Sequence, residues 1–438
     1  MNIRKTVFKL LDILKGRPVF KNIDQIKSIN EALDGQLVQR YQKEQIDELL
    51  ENAIKNIPFY KNIDTIELSK FPIVDKSIIK NGIDQFISPL INKSELHRMV
   101  TSGSTGTPFV SYQDDNKKKR NSADALYFGE LAGFTLGEPL YYLKIWSSAN
   151  RKSKIIQTFQ NIIPIDVIHL SGKNISNFIN KFNTASGRIH INGYASALEE
   201  ICKYLDVHST PLLTRNLKVG SIIAQSEALS NETKERLYRY YDCQPCSRYS
   251  NLENGIIAQQ TLKNNTIFKI NCASYYVEIL KINEDIVADK GELGRIVITD
   301  LFNYSMPFIR YDSGDIGRFT VNGNGEINRS FLSEIQGRKL DLLLDTKGNI
   351  VSSYIMYKNM FKYPEIDQYQ LIQEGQKEYR FVISMKEKFL KEKILTNEFL
   401  SYLGNDAIFK IEYVEEIPLL ASGKRRKIVN NYLKKQTV

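Results

Sequence analysis

Four histidines and four cysteines serve a chain of 438 residues. That scarcity excludes a disulfide-stapled scaffold and leaves a zinc site of roughly four clustered ligands short of donors. Cys243-Gln-Pro-Cys246 has the spacing of half such a site, but Cys202 and Cys272 supply no second pair. It reads as two free thiols near a strand end, in a reducing, cytoplasmic setting. No run approaches the roughly 18 to 20 unbroken apolar residues of a membrane-spanning helix. The opening MNIRKTVFKLLDILKGRPVF is interrupted by Asp12 and Lys15 and has no small-residue cleavage site, so it does not fit a signal peptide. It reads as a short amphipathic helix that rests on a membrane surface, as a peripheral contact, or on the protein itself. No Gly-Lys-Ser/Thr closes a glycine-rich loop, which argues against a Walker-type ATPase or kinase.

What is present is ordinary for a large globular protein: 42% hydrophobic and 25% charged residues. The length predicts two or three domains. Lys plus Arg number 60 against 50 Asp plus Glu, a net charge of +10. The basic residues are dispersed, and the run from Lys117 to Arg120 lacks interleaved stacking aromatics, so it reads as a solvated helix face rather than a nucleic-acid contact.

Apolar positions Ile46, Leu49, Leu50, Ala53, Ile54 and Ile57 predict a helix stopped by Pro58. Residues 68–88 read as a turn and a short helix broken at Gly82. Buried strands are predicted at 139–146, 189–193 and 219–229, with a helix from Asn231 to Tyr241. This alternation argues for an α/β body whose ligands sit beyond the carboxyl ends of the strands. From about residue 264 strands and Gly, Asn and Asp turns predict a β-rich subdomain. After Gly337-Arg338 the pattern becomes a small α+β unit, giving an N-terminal domain of 1–337 and a C-terminal domain of 338–438.

The stretch TSGSTGTP, from Thr101 to Pro108, offers two glycines and five hydroxyls. Such a loop can turn backbone N–H groups and hydroxyls onto phosphate, although alone it can also be a linker. RYDSGDIG places Asp312 and Asp315 around a glycine turn at a strand end, where a carboxylate can accept both hydroxyls of a ribose. YSNLENG puts Glu253 where it can hold Mg²⁺ against a triphosphate. IPLLASGKRRKIV offers Lys424 on a Ser-Gly turn, a cation suited to charge developing on phosphate. Singly these are equally a turn aspartate, a solvated glutamate and a basic tail. Their order along one chain argues for a site.

Together these motifs resemble the adenylate-forming superfamily of acyl-CoA synthetases, adenylation domains and luciferases. Within it the chain is similar to the phenylacetate-CoA ligase branch, including CapK-like capsular polysaccharide biosynthesis proteins. The similarity runs from about Gln39 to Asn431 and takes in NIPFYKN at 56–62 and FPIVDKSIIKN at 71–81. The resemblance implies a fold of α/β subdomains plus a β-rich subdomain with a small mobile α+β C-terminal domain. It implies that Thr101, Ser102, Gly103, Ser104, Thr105, Gly106 and Thr107 cradle the β and γ phosphates of ATP. Ser226 and Glu227 would flank adenine, with Tyr249 near it; Glu253 would act at Mg²⁺, Asp315 at the ribose, and Arg338 at the hinge and ribose or phosphate. Lys424 would bridge carboxylate and α-phosphate.

The implied activity is ATP-dependent conversion of a small carboxylic acid to acyl-AMP with release of pyrophosphate, then acyl transfer to CoA or another thiol or amine. Acylation of a surface-polysaccharide precursor is an alternative, and a non-catalytic nucleotide-binding protein is another. Two departures from the family pattern stand out. Ser250 and Leu252 replace a glycine and a threonine in the aromatic-x-x-x-Glu motif, and Leu340 takes the usual pivot position. Where some relatives carry zinc ligands, this chain has Gln259, Gln260 and Lys269, so no structural zinc is expected there. The acyl pocket is expected from Tyr127–Trp146, Asn192–Tyr194 and Ser221–Glu227, whose aromatic and small residues would suit an aromatic or medium acyl group.

Overall fold

The computed structural model describes residues 2–32, 34–101, 109–146, 153–167, 170, 172–183, 187–208, 218–338, 343–351, 354–360, 362–363, 365–385, 387–418 and 426–436. By its internal contacts the chain divides into two compact units. One comprises Met1–Leu229, Thr233–Ser313 and Gly317–Ile335, and the other Ser230–Glu232, Gly314–Ile316 and Gln336–Val438. The fold class is mixed α/β, with a large multi-strand sheet, covering helices and a small C-terminal sheet.

The first unit begins with helices α1 (Ile3–Leu14), α2 (Pro18–Asn30) and α3 (Gly35–Asn56). The third starts eleven residues before its apolar spacing does, because Asp34 caps it and its first turns are anchored by polar groups. Tyr41 Oη donates to Ala273 O at 2.9 Å and Gln42 Nε2 to Cys272 O at 3.0 Å. Asp75 then caps α4 (Lys76–Asn81), its carboxylate accepting from Ile78 N at 2.8 Å. Strands β1 (His97–Thr101) and β2 (Phe109–Gln113) form an antiparallel hairpin in which Thr101 faces Phe109. Residues 102–108 therefore join two register partners.

Helix α5 (Asp115–Leu131) follows at once and is capped by Asp114. Then come β3 (Leu140–Lys144), α6 (Lys154–Gln160), β4 (Ile162–Asp166), α7 (Gly172–Asn183), β5 (Arg188–Tyr194), α8 (Ala195–His208), β6 (Lys218–Gln225), α9 (Asn231–Tyr241) and β7 (Pro245–Asn251). The strands lie in the order β4-β3-β5-β6-β7, all parallel. Strands buried on both faces read as apolar runs, which is why the sequence shows β5 and β6, while β3, buried on one face only, shows by its strand-favouring Leu and Tyr. The predicted third strand ends earlier, at Gln225, because Ser226 takes a left-handed φ of 74°.

The sheet continues through β8 (Gly255–Gln259), β9 (Phe268–Ile270), β10 (Tyr275–Leu280), β11 (Gly294–Asp300), β12 (Tyr311–Val321) and β13 (Ile327–Arg338). Eleven strands are ordered β10-β11-β12-β13-β9-β8-β7-β6-β5-β3-β4 among the described residues. β7 is the switch: it pairs in parallel with β6 and antiparallel with β8.

The second unit has a small hairpin of β14 (Leu343–Leu344) and β15 (Ile350–Val351), then α10 (Tyr354–Met360), β16 (Gln368–Gln373), β17 (Glu378–Ser384), α11 (Glu392–Leu403), β18 (Ile408–Tyr413), β19 (Ile428–Asn430) and α12 (Asn431–Gln436). Its four-stranded sheet runs β18-β17-β16-β19. Met356, Leu371, Phe381, Leu395 and Phe399 form its core.

One expectation fails outright. Lys117 and Arg120 are not solvated; both are completely buried. Lys117 Nζ pairs with Asp300 Oδ2 at 2.7 Å and donates to Tyr275 Oη at 3.0 Å. The Arg120 guanidinium donates to Ser274 Oγ (2.7 Å), Asn22 Oδ1 (3.0 Å), Gln25 Oε1 (2.6 Å) and Ala273 O (2.6 Å), and lies 3.9 Å over the Phe302 ring. At helical spacing Lys117 and Arg120 share a face, whereas Lys118 and Lys119 point to solvent. Arg120→Met should therefore lower the unfolding free energy by about 3–5 kcal/mol, as breaking a buried ionic network does. Lys118→Met should change it by no more than about 0.5 kcal/mol. Urea denaturation reads both, and equal small effects would return the whole run to a solvated face.

Candidate functional site

Glu253 lies in the turn between β7 and β8, only 1% exposed. A carboxylate taken from water needs partners, and it has them on one oxygen only. Oε1 accepts from Tyr311 Oη at 2.7 Å and pairs with Lys76 Nζ at 2.9 Å. Oε2 is buried and has no hydrogen-bond partner. The turn itself is fixed by Gln113 Nε2, which donates to Glu253 O at 2.9 Å, and by Asn251 Oδ1, which accepts from Asn254 N at 2.8 Å.

Lys76 reaches this point because the segment before α4 docks on β12. Val74 and Tyr311 form a parallel bridge, Val74 N donating to Arg310 O at 3.2 Å and Asp312 N to Val74 O at 2.8 Å. The Lys76 ammonium also stands 5.6 Å from the centre of the Phe109 ring, the first residue after the 102–108 connection. Glu253 and the flank of the predicted phosphate loop thus meet around one lysine. Sequence reasoning quoted FPIVDKSIIKN without giving Lys76 or Tyr311 a role. The signal was a lysine just past a capping aspartate; its partner lay far along the chain.

The unpartnered Oε2 fits Mg²⁺, which takes oxygen ligands and commonly one or two carboxylates completed by substrate phosphates. Among the described residues no group of three or more His, Cys, Asp or Glu side chains gathers for an all-protein metal cage.

Tyr249 on β7 donates its hydroxyl to Ser313 Oγ at 3.2 Å, and Ser313 Oγ donates to Ile296 O at 2.9 Å. This brings Tyr249 to the strand that carries Asp315. Asp312 and Asp315 lie within β12 rather than at a strand end, with Gly314 between them at φ 79°. Asp312 is committed elsewhere: its carboxylate accepts from Arg295 at 2.8 Å. Both aspartates are half-buried, and Asp315 lies closer to the strand centre.

Ser226 and Glu227 follow the end of β6. Glu227 Oε2 accepts from Ser196 N at 3.0 Å, in the first turn of α8. An anion is favoured there by the unpaired N–H groups and the dipole of the helix. Thr101 ends β1 and Arg338 ends β13. Ser102, Gly103, Ser104, Thr105, Gly106, Thr107, Leu340 and Lys424 lie outside the described residues.

Beside these groups the parallel strands present a polar row. The registers set Tyr142 beside Asn192 on β3 and β5 and Tyr194 beside Gln225 on β5 and β6, while Arg248 follows Ser247, the β7 partner of Ala224. Gln225 Nε2 donates to Tyr142 Oη at 3.0 Å. Asn192, on the same face, is 7% exposed and its Oδ1 is unpartnered. Arg248 Nε donates to Gln259 Oε1 at 2.6 Å, and Gln259 in turn donates to Phe128 O at 2.7 Å. No carboxylate pairs with Arg248 among the described residues, and burial pushes its guanidinium down to about 10. Sequence reasoning placed the pocket on these strands but did not single out Arg248. Gln260 is likewise engaged, accepting from Lys234 Nζ at 2.8 Å and Ser247 N at 3.0 Å. The Cys243 and Cys246 thiols are free and buried, which pushes them up to about 11 and about 12.

A sheet half parallel and half antiparallel, with a small α+β unit after it, is a fold that this chain shares with CoA ligases of solved structure. The chain matches 2-hydroxyisobutyryl-CoA ligase in its postadenylation state with 2-HIB-AMP at a TM-score of 0.71 and 13% identity, over 93% of this chain and 92% of that one. It matches the same ligase with 2-HIB-AMP and CoA at a TM-score of 0.58 and 15% identity, over 93% and 94%. For ATP-bound MatB from Rhodopseudomonas palustris the TM-score is 0.55 and the identity 13%, over 75% and 66%. More particularly, residues 343–431 match the CapK C-terminal domain family. Across 95% of its length the chain is 22% identical to Protein CapK of Staphylococcus aureus, covering 94% of that protein.

Lys76→Met leaves Glu253 buried without its counter-charge and should cost about 3–5 kcal/mol of stability. Adding Glu253→Gln should recover much of that loss, because a neutral amide is cheaper to bury. Urea denaturation of the single and double variants checks this; a double variant no more stable than the single one contradicts the pairing.

Proposed function

We propose that this chain activates a carboxylic acid with ATP, forming acyl-AMP and pyrophosphate, and passes the acyl group to CoA or another thiol or amine. The observation that carries the reading is Glu253, buried at the switch of the sheet with one oxygen held by Lys76 and Tyr311 and the other open. The fold it shares with 2-hydroxyisobutyryl-CoA ligase and MatB supports it. A carboxylate attacks ATP poorly because both are anionic, so cations must neutralise the phosphates and align the attack on the α-phosphorus. Mg²⁺ held by Glu253 Oε2 would supply part of that charge. Lys76 adds another, with the hydroxyls and N–H groups of Thr101–Thr107 around the β and γ phosphates and Lys424 at the α-phosphate. Ser226, Glu227 and Tyr249 hold adenine and Asp315 the ribose. The carboxylate oxygen forms a bond to the α-phosphorus, and pyrophosphate leaves.

The chain is read as an N-terminal domain of 1–337 and a C-terminal domain of 338–438. Arg338 and Leu340 mark the hinge about which the second domain moves between half-reactions, in the cytoplasm. Because the pivot is Leu340, the swing is the less conventional of the two steps. The resemblance to CapK-like proteins favours a second reading of the acceptor, the amine of a sugar in a surface-polysaccharide precursor.

The polar groups of Tyr142, Asn192, Gln225 and Arg248 shift the expected acid from an aromatic or medium acyl group to a short acid whose far end is polar or anionic. A desolvated guanidinium without a carboxylate gains about 1.5–3 kcal/mol from a charge-assisted hydrogen bond.

Carboxylate-dependent exchange of labelled pyrophosphate into ATP tests the reading. Exchange is expected with a panel of acids, reduced at least about 100-fold by Lys424→Ala while ATP binding persists. ATP binding without exchange would make the chain a nucleotide-binding protein instead. Arg248→Met should raise KM for the preferred acid by about 10-fold or more and leave KM for ATP within about twofold. An equal rise in both would place Arg248 outside the acid pocket.

A further inference from the structure

The first helix is inverted for one whose task is only to pack. Its attachment to the protein runs through Phe8 and Asp12, one turn apart. Phe8 meets Phe20 with ring centroids 6.1 Å apart, and the buried Asp12 carboxylate accepts from Val19 N and Phe20 N at 3.0 Å each. Asn2 Nδ2 adds a bond to Leu136 O at 2.8 Å. At 3.6 residues per turn the opposite face carries Ile3, Val7, Leu10 and Leu14. Ile3, Leu10 and Leu14 are 70%, 55% and 82% exposed, and Leu11 and Ile13 beside them 42% and 54%. The helix therefore turns its apolar stripe to the outside and its one carboxylate to the inside.

Cations occupy the rest of the helix surface, Arg4 and Lys15 to one side of the stripe, Lys9 to the other and Lys5 nearest the attachment face. Arg4, Lys5, Lys9 and Lys15 are all exposed along α1, and Asp12 is the sole acidic residue before Asp24. Arg4 shares a shallow groove of about 360 Å³ with Lys154, Gln157 and Thr158, which puts α6 alongside. That helix exposes Ile155 at 83%, Ile156 at 45% and Phe159 at 37%, and it has no acidic residue.

We propose that α1 and α6 together form a docking surface for a membrane containing anionic lipid. An interfacial helix buries an apolar face in the acyl boundary and keeps Lys and Arg at the level of the phosphate headgroups. The geometry here meets both requirements on two neighbouring helices. None of the described helices is long and apolar enough to cross a membrane, so the contact is peripheral. The charge selects the occupant: four exposed cations and no exposed carboxylate across residues 3–15 complement a sheet of lipid phosphates.

The test is sedimentation of the full chain with vesicles of phosphatidylcholine alone and of phosphatidylcholine with 30% phosphatidylglycerol, at about 50 and 500 mM NaCl. Binding is expected to the phosphatidylglycerol vesicles at low salt, at least about 10-fold tighter than to phosphatidylcholine, and weakened at high salt. Leu10→Ser/Leu14→Ser should reduce it at least about 10-fold, and Lys5→Glu/Lys9→Glu likewise, with the circular dichroism spectrum unchanged. Absence of binding overturns the proposal. So does binding by both double variants at the level of the unmodified chain. A lipid-independent dimer that Leu10→Ser/Leu14→Ser dissolves would assign the face to a second copy and overturn it as well.

Discussion

Two buried cations hold the molecule's working parts in register. Lys117 and Arg120 have no access to water, so their charge must be answered by protein, and the answers come from distant pieces of chain. Asp300 and Tyr275 belong to the antiparallel half of the sheet, Asn22 and Gln25 to α2, and Ser274 and Ala273 to the turn before β10. Such a network is costly to assemble and more costly to leave incomplete, which makes the position of α5 nearly unconditional. The cap of α5 extends the constraint, because Asp114 Oδ2 also accepts from Tyr304 N and Ser305 N at 3.1 Å each. With α5 fixed, the β1–β2 hairpin that precedes it is fixed, and so are α2 and β8, against which the helix packs.

The chemistry is concentrated where the sheet changes character. Parallel strands end together at β6 and β7, and their carboxyl ends leave a crevice of the kind that α/β proteins use for ligands. β7 then folds back antiparallel on β8, and the turn between them buries Glu253. Lys76 and Tyr311 satisfy one carboxylate oxygen and leave the other without a partner. The polar row ending in Arg248 lies on the same strands, so a reacting acid and the phosphates it attacks can be served by one rigid scaffold.

Much of this was legible in the sequence, for physical reasons. Strands buried on both sides must be apolar, so β5 and β6 announced themselves, and α9 was marked by its own periodicity from Asn231 to Tyr241. The stretch from Thr101 was visible because a run of small, hydroxylated and glycine residues is the composition that close contact with phosphate would require. The polar pairings were not legible. Lys76 and Glu253 are joined by a bridge between Val74 and Tyr311, and nothing local in either segment encodes it. Lys117 and Arg120 look like surface residues until the residues that surround them are known. Arg248 sits in an unremarkable stretch, and only the pairing of β7 with β8, which sets it opposite Gln259, reveals its surroundings. β4 escaped notice because Pro164 interrupts a five-residue run.

The central claim is that a carboxylate oxygen attacks the α-phosphorus of ATP. It is tested most directly by supplying a panel of acids labelled with ¹⁸O in the carboxylate, together with ATP and CoA, and weighing the AMP that forms. Attack by the carboxylate leaves its oxygen on phosphorus when the acyl group departs, so AMP carrying one ¹⁸O is predicted. Unlabelled AMP, or ADP and phosphate in its place, would contradict the account.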